Sequence, residues 1–160
     1  MDAIVAVYSD WGIGAGGTQP VVLPEDRRRF VELTRGAAVI VGRKTLGDFP
    51  GGKPLPKRVN IVITRSELKP EGFLVAHSVQ EALKEAEKHD KVFVLGGESV
   101  FREFFPHTDR VFVTKINDAP HSDAFFPNLD EDTNWHCTDS GEPLMSGPIS
   151  YRFCVYERIK

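Results

Sequence analysis

The side chains able to do chemistry fall into three small groups. The first is a lone acid. Asp26 follows Leu23-Pro24-Glu25 at the start of a helical pattern. It lies four residues before Phe30, so it stands at the edge of the apolar stripe that Phe30 and Leu33 form. An acid in a first turn suits the helix dipole and solvent. Beside an apolar stripe, the same carboxylate can instead grip a heterocycle through paired hydrogen bonds and tune its protonation. The second group is cationic. Gly42-Arg43-Lys44-Thr45 closes one apolar run and Thr64-Arg65 closes the next. Backbone N–H groups at a helix start bind anions, and Arg43, Lys44 and Arg65 brought together suit a phosphate bearing two charges. Left apart, they are an ordinary solvated basic surface. The third group is bare backbone. Gly96-Gly97 lies between an apolar run and a helical one, where a diphosphate can approach the main chain closely. A plain strand-to-helix turn has the same composition.

A fourth pattern is a run of glycines. Gly12-Ile13-Gly14-Ala15-Gly16-Gly17 matches G-x-G-x-x-G. A dinucleotide fingerprint requires a helix to begin inside the motif. Pro20 and Pro24 interrupt the following turns, and Arg43 rather than an acid closes the next strand. The stretch Ser9–Pro24 therefore reads as a glycine-rich loop able to close over a ligand.

The elements that position these groups alternate. Ala3–Val7, Ala37–Val41, Val59–Ile63, Phe73–Ala76, Lys91–Leu95 and Arg110–Lys115 read as strands, several apolar enough to be covered on both faces. Glu25–Thr34, a turn over Arg43–Phe49, a segment opened by the capping box Ser78-Val79-Gln80-Glu81, and Glu98–Phe105 read as helices. Trp135–Asp139 and Ser150–Glu157 read as a closing antiparallel hairpin connected through Gly141–Gly147. The pattern predicts an α/β fold: a mostly parallel central sheet with an antiparallel C-terminal hairpin edge and helices on both faces. Ligands of such sheets sit beyond the carboxyl ends of the strands. The loop, Gly42–Thr45, Thr64-Arg65 and Gly96-Gly97 all fall on that one rim.

The 160 residues are expected to form a single domain, 1–160, with an ordinary 41% hydrophobic and 27% charged content. A net charge of −3 gives no reason to expect nucleic acid or an anionic membrane as partner. Met1–Val7 lacks the pattern of a secretory signal, and no apolar run approaches a membrane span. Cys137 and Cys154 have no metal-ligand spacing, so free thiols and no metal are expected.

The chain resembles dihydrofolate reductase over nearly its whole length. The resemblance rests on an ordered set: Trp11-Gly12-Ile13-Gly14, Leu23-Pro24-Glu25-Asp26, Phe30, Val41 to Thr45, Leu55-Pro56-Lys57-Arg58-Val59-Asn60-Ile61, Leu95-Gly96-Gly97, Thr114, and Asp123 with Phe126-Pro127. It implies reduction of 7,8-dihydrofolate to tetrahydrofolate by hydride transfer from NADPH, in a monomeric cytoplasmic enzyme. Asp26 would be the catalytic acid, binding the pterin's 2-amino group and ring nitrogen and supporting protonation at N5, with Thr114 hydrogen-bonded behind it. Ile4, Val5, Ala6, Phe30 and Leu95 would line the substrate pocket, Phe49 would cover the tail side, and Arg58 would pair with the glutamate carboxylate. Arg43, Lys44, Thr64 and Arg65 would select NADPH over NADH. Gly96 and Gly97, joined by a cis peptide, would approach its diphosphate, with Gly42, Thr45, Ser99 and Val100 around them. Ala6, Ile13, Gly14 and Leu95 would surround the nicotinamide. Related pterin or deaminated-pyrimidine reductases share this fold, and a nucleotide-binding module without turnover is a further alternative; Asp26 together with Arg58 favours folate.

Three positions depart from the family pattern. Pro20-Val21-Val22 stands where relatives usually have Pro-Trp, whose indole helps hold a water near the pterin. Asp26 is followed by Arg27-Arg28-Arg29 rather than an apolar residue, which would bring Arg27 to the substrate tail. Glu98 follows the glycine pair, where a carboxylate would repel a diphosphate unless it is turned away.

Overall fold

A computed structural model describes residues 1–159 of the chain. Its strands are β1 (Asp2–Val7), β2 (Gly12–Gly14), β3 (Ala38–Gly42), β4 (Val59–Ile63), β5 (Leu74–Ala76), β6 (Val92–Gly96), β7 (Arg110–Ile116), β8 (Ala124–Phe125), β9 (Trp135–Ser140), β10 (Leu144–Ser146) and β11 (Ile149–Arg158). Its helices are α1 (Pro24–Thr34), α2 (Val79–Ala86) and α3 (Glu98–Phe104), and Arg43–Asp48 is a 3₁₀ turn. The main sheet runs β10-β11-β7-β1-β6-β3-β4-β5, with β9 paired to β11. From β7 to β5 every pairing is parallel. β11 runs antiparallel to β7, and β9 and β10 share its outer edge. The closing hairpin is therefore richer than the sequence suggests. Its second strand lies inside the sheet, and its connection contains β10.

Period-two alternation decides which side chains meet which helices. Ala3, Val5, Val7, Ala38, Ile40 and Val94 form one core with Ala82 of α2 and Val100, Phe101 and Phe104 of α3. Ile4, Val39, Phe93, Leu95 and Phe112 form another on the opposite face with Leu33 of α1. The two faces are not equally covered. Along β1 the residues facing α2 and α3 are buried, while Ile4 and Ala6 are only half-buried. All five residues of β3 are buried, as its central place in the sheet requires. The result is a partly uncovered apolar floor beside α1.

Helix ends are set by local chemistry. At α2, Ser78 Oγ accepts from Glu81 N–H at 3.1 Å, while the Glu81 carboxylate accepts from His77 N–H at 2.6 Å. The box is thus displaced by one residue from its usual reciprocal form. At α1, Pro24 occupies the first turn with Glu25 and Asp26. Its C-terminus is held by Arg58, whose Nη2 donates to the Val31 carbonyl at 2.7 Å. Among the described residues no helix is long and apolar enough to cross a membrane.

Candidate active site

Asp26 is half-buried against the sheet. One carboxylate oxygen accepts from the Thr114 hydroxyl of β7 at 2.5 Å. Burial raises its pKa above the ordinary carboxylate range, opposed by the Thr114 hydrogen bond and by the Arg29 guanidinium. Around it lie Ile4 and Ala6 on β1, Leu95 at the end of β6, Phe30 on α1, and Phe49, which stacks on Phe73 with ring centroids 6.2 Å apart. All five are half-buried. They leave a partly uncovered apolar surface beside α1, a slot whose walls would suit a planar ring. Val5 does not belong to it. Its side chain points to the other face, into the core with α3, because it lies between Ile4 and Ala6 in a period-two strand.

The rim is cationic where expected. Arg43, Lys44 and Arg65 are exposed beyond the ends of β3 and β4, and among the described residues none forms an ion pair. Thr64 differs from expectation. It is buried and its hydroxyl is shared with Ser66 at 3.0 Å, so it shapes the turn that presents Arg65. Ser66 also donates its N–H to the Thr64 hydroxyl at 3.1 Å. The sequence pattern does not single out Ser66, and no spacing signal marks it.

Between these cations and the slot runs bare backbone. The Gly96–Gly97 peptide is cis. A Cβ at Gly42 would meet Val100 Cγ2 at 2.8 Å, and one at Gly96, where φ is +113°, would meet the Phe101 ring at 2.8 Å. A Cβ at Gly97 would have only Thr45 Oγ1 nearby, at 3.7 Å. Val100 thus supports the Gly42 backbone from below, and Ser99 is exposed in the first turn of α3. The open main chain at Gly97, the start of α3 and the unpaired cations together fit a phosphorylated dinucleotide.

The loop over the slot is latched from two sides. β2 pairs with β8, Asp123 N–H donates to the Gly14 carbonyl at 2.9 Å, and the Asp123 carboxylate accepts from Gly16 N–H at 3.0 Å. Gly14, with φ +132°, leaves no room for a Cβ, which would lie 2.2 Å from the Thr18 carbonyl. Ile13 is half-buried against the core. On the other side, the Gln19 side-chain amide donates to the Ala6 carbonyl at 2.9 Å, and Val21 N–H donates to the Tyr8 hydroxyl at 3.2 Å. Glu98 is turned away from the glycine pair. Its carboxylate accepts from Phe125 N–H in β8 at 2.6 Å.

The dihydrofolate reductase family model matches residues 1–158. The dihydrofolate reductase of Bacillus subtilis (strain 168) is 35% identical over 158 residues, covering 97% of this chain and 92% of that relative. That of Staphylococcus haemolyticus is 34% identical over 160 residues, covering 98% and 95%. The solved structure of dihydrofolate reductase from Enterococcus faecalis, complexed with NADP(H) and RAB-propyl, superposes with a TM-score of 0.88 at 34% identity, over 99% of this chain and 96% of that one. The chain belongs to the dihydrofolate reductase family.

Two arginines of α1 face in different directions. Arg27 is exposed on the outer surface of α1, beside Arg28, Val31, Glu32 and Arg35 and away from Asp26. Arg29 is the inward-facing one. Its guanidinium lies 4.3 Å from the Phe153 ring centroid and 5.8 Å from that of Phe112. Phe153 and Thr114 are cross-strand neighbours, so Asp26 and Arg29, one helical turn apart, rest on adjacent positions of the same sheet face. Helical spacing alone pairs residue 29 with residue 26; only the packing shows that Arg29 turns inward.

Proposed function

We infer that this chain reduces 7,8-dihydrofolate to 5,6,7,8-tetrahydrofolate with NADPH as the reductant, and so supports one-carbon metabolism. The observation that carries the reading is Asp26. It is a buried-edge carboxylate of raised pKa, held by Thr114, at the side of a half-covered apolar slot that opens toward an unpaired cationic rim. In the net reaction, dihydrofolate, NADPH and one proton give tetrahydrofolate and NADP⁺. NADPH supplies the hydride when bound.

The protein's own residues do the rest. The Asp26 carboxylate accepts from the pterin's 2-amino group and ring nitrogen, which fixes the ring in one orientation and favours the proton at N5. Ile4, Ala6, Phe30 and Leu95 exclude water around the reacting faces. Phe49 covers the tail, and the Arg58 guanidinium pairs with the tail carboxylate. In support of this reading, the Arg58 guanidinium is held in one orientation: Nε and Nη2 donate to Thr34 Oγ1 at 3.1 and 3.0 Å, and Nη1 donates to the Pro56 carbonyl at 2.6 Å. Arg43, Lys44 and Arg65 hold the 2′-phosphate that distinguishes NADPH from NADH, and Gly42, Gly96 and Gly97 admit the diphosphate to the main chain, flanked by Thr45, Ser99 and the Thr64 turn. The enzyme is a single-domain cytoplasmic monomer in this reading. The test is loss of NADPH absorbance on addition of dihydrofolate. NADPH binding without substrate-dependent oxidation would leave only a nucleotide-binding module.

A further inference from the structure

Arg29 sits on the inward side of α1 with no part yet in the reaction. It is half-buried, and among the described residues it forms no ion pair. Burial disfavours a charge, and here it draws the pKa of the guanidinium down. Asp26 opposes that effect, followed by Cys154 and Asp139. What holds the cation in place is aromatic. Its guanidinium carbon lies 4.3 Å from the Phe153 ring centroid and 5.8 Å from that of Phe112. Phe112 stands two residues before Thr114 on β7, and Phe153 is the partner of Thr114 on β11. All three side chains therefore occupy one sheet face. Tyr151, on the same face, meets Phe153 edge-on with ring centroids 5.3 Å apart.

Asp26 rests on that same face through Thr114, and side chains three residues apart on a helix are neighbours. The groups around the carboxylate are few. Thr114 of β7 donates a hydrogen bond but carries no charge. Ile4 and Ala6 of β1 and Leu95 of β6 are apolar. Tyr151 of β11 is kept neutral, its pKa raised by burial and by the charges of Glu25 and Asp26, against Arg28. Glu25 shares the first turn of α1. Arg110 lies 4.9 Å from the Phe112 centroid, but its charge is paired with Asp2 at 3.0 Å. Burial raises the Asp26 pKa, opposed first by the Thr114 hydrogen bond and then by the Arg29 charge.

We propose that Arg29 is a positioning residue for the reaction: clamped on Phe153 and Phe112, its guanidinium holds the Asp26 carboxylate in the charged form that accepts from the pterin's paired N–H groups. The proposal rests on the reading of Asp26 as the acid that binds the pterin. The clamp fixes a charge where a flexible side chain would swing into water, and a planar guanidinium suits the ring face. A side chain that only covered Phe153 with its stem would pack equally well without acting on Asp26.

The experiment titrates the Asp26 carboxyl itself, by carbon-13 NMR of the full chain carrying labelled aspartate, with the resonance assigned by its loss in Asp26→Asn. Arg29→Met keeps an apolar stem and removes the charge. It should move the titration up by about half to one pH unit. The shift should survive about 0.5 M salt, because a half-buried pair is poorly screened. The acid limb of kcat/KM for dihydrofolate should move up by the same amount. Arg29→Lys keeps the charge but loses the planar fork, so its shift should be smaller than that of Arg29→Met. Phe153→Leu loosens the clamp and should shift the titration the same way, and that shift should disappear when Arg29→Met is already present. A cooperative melt and NADPH affinity within about twofold show that each variant is folded; should Arg29→Met not fold, Arg29→Lys and Phe153→Leu carry the test. An unmoved titration in the folded variants would overturn the proposal. So would a shift abolished by salt, or a Phe153→Leu shift that persists undiminished without Arg29. The titration needs no substrate, so it decides the clamp separately from turnover. Absence of dihydrofolate-dependent NADPH oxidation would overturn the proposed function itself.

Discussion

Replacing Thr114 with valine keeps the shape of a buried side chain and removes one hydroxyl. That hydroxyl is the hydrogen-bond donor to Asp26, at 2.5 Å. A hydrogen bond to a charged acceptor in such a site contributes about 1.5–3 kcal/mol, so the carboxyl's affinity for a proton should rise roughly tenfold to a hundredfold. The sign follows from burial. Asp26 already has a folded pKa raised above its unfolded value. The cost of burying its charge is therefore absent below the ordinary carboxylate range. It grows as pH climbs to the raised value and is constant above it. Thr114→Val enlarges that cost and extends the window upward. The variant should melt about 3–10 °C lower at pH 8, with the deficit shrinking toward pH 5. Steady-state rates from pH 5 to 9 should show the acid limb of kcat/KM for dihydrofolate moved toward neutrality. NADPH affinity, read by fluorescence titration, should stay within about twofold. An unmoved acid limb together with a pH-independent melting deficit would refute the reasoning, since it would mean that Thr114 acts through packing alone.

Asp26→Asn should cut turnover about a hundredfold or more at neutral pH, with partial recovery at low pH where substrate arrives protonated; unchanged neutral turnover would remove Asp26 from the chemistry. The same variant should melt higher at pH 7 than the unaltered chain, since it no longer buries a charge, and calorimetry at pH 7 and pH 4 should show the gain fading with acid. Arg43→Ala combined with Arg65→Ala should raise the KM for NADPH about tenfold and leave that for NADH nearly constant, and a parallel rise in both would place the 2′-phosphate elsewhere. Arg58→Ala should weaken dihydrofolate and methotrexate, which carry the glutamate, more than trimethoprim-like compounds, which lack it; equal weakening in inhibition assays would argue against the tail assignment.

How much of this was legible in the sequence depends on range. The apolar runs of β1, β3, β4, β6 and β7 are readable because each is long enough to show its pattern. β2, β8 and β10 are two or three residues long, and β2 pairs with a segment far along the chain, so no local period marks them. Arg43, Arg65 and Gly96-Gly97 are readable because a strand end followed by glycine or a cation fixes a place on the rim. Val5 was assignable to the opposite face by alternation with Ile4 and Ala6. The direction of Glu98, the inward turn of Arg29 onto Phe153, and the Thr64–Ser66 contact depend on packing between distant segments, and spacing carries no trace of them.

The same packing sets Asp26 apart from the other acids near the loop. Asp10, Glu98 and Asp123 all lie near the loop or the glycine pair, and each has a carboxylate oxygen accepting from a backbone N–H: Gly12 at 2.9 Å, Phe125 at 2.6 Å and Gly16 at 3.0 Å. Those bonds turn their charge toward the main chain and help tie down the glycine-rich loop and the β8 strand paired with it. Gln19 and Tyr8 complete the hold from the β1 side. Among the described residues Asp26 makes no such backbone bond, and its side-chain partner is the Thr114 hydroxyl. Ala6, the register partner of Thr114 on β1, and Ile4 lie half-buried on the same sheet face. An acid with one donor behind it and an uncovered apolar slot before it is stabilised most by a ligand that brings its own donors, and the paired N–H groups of a pterin edge supply them.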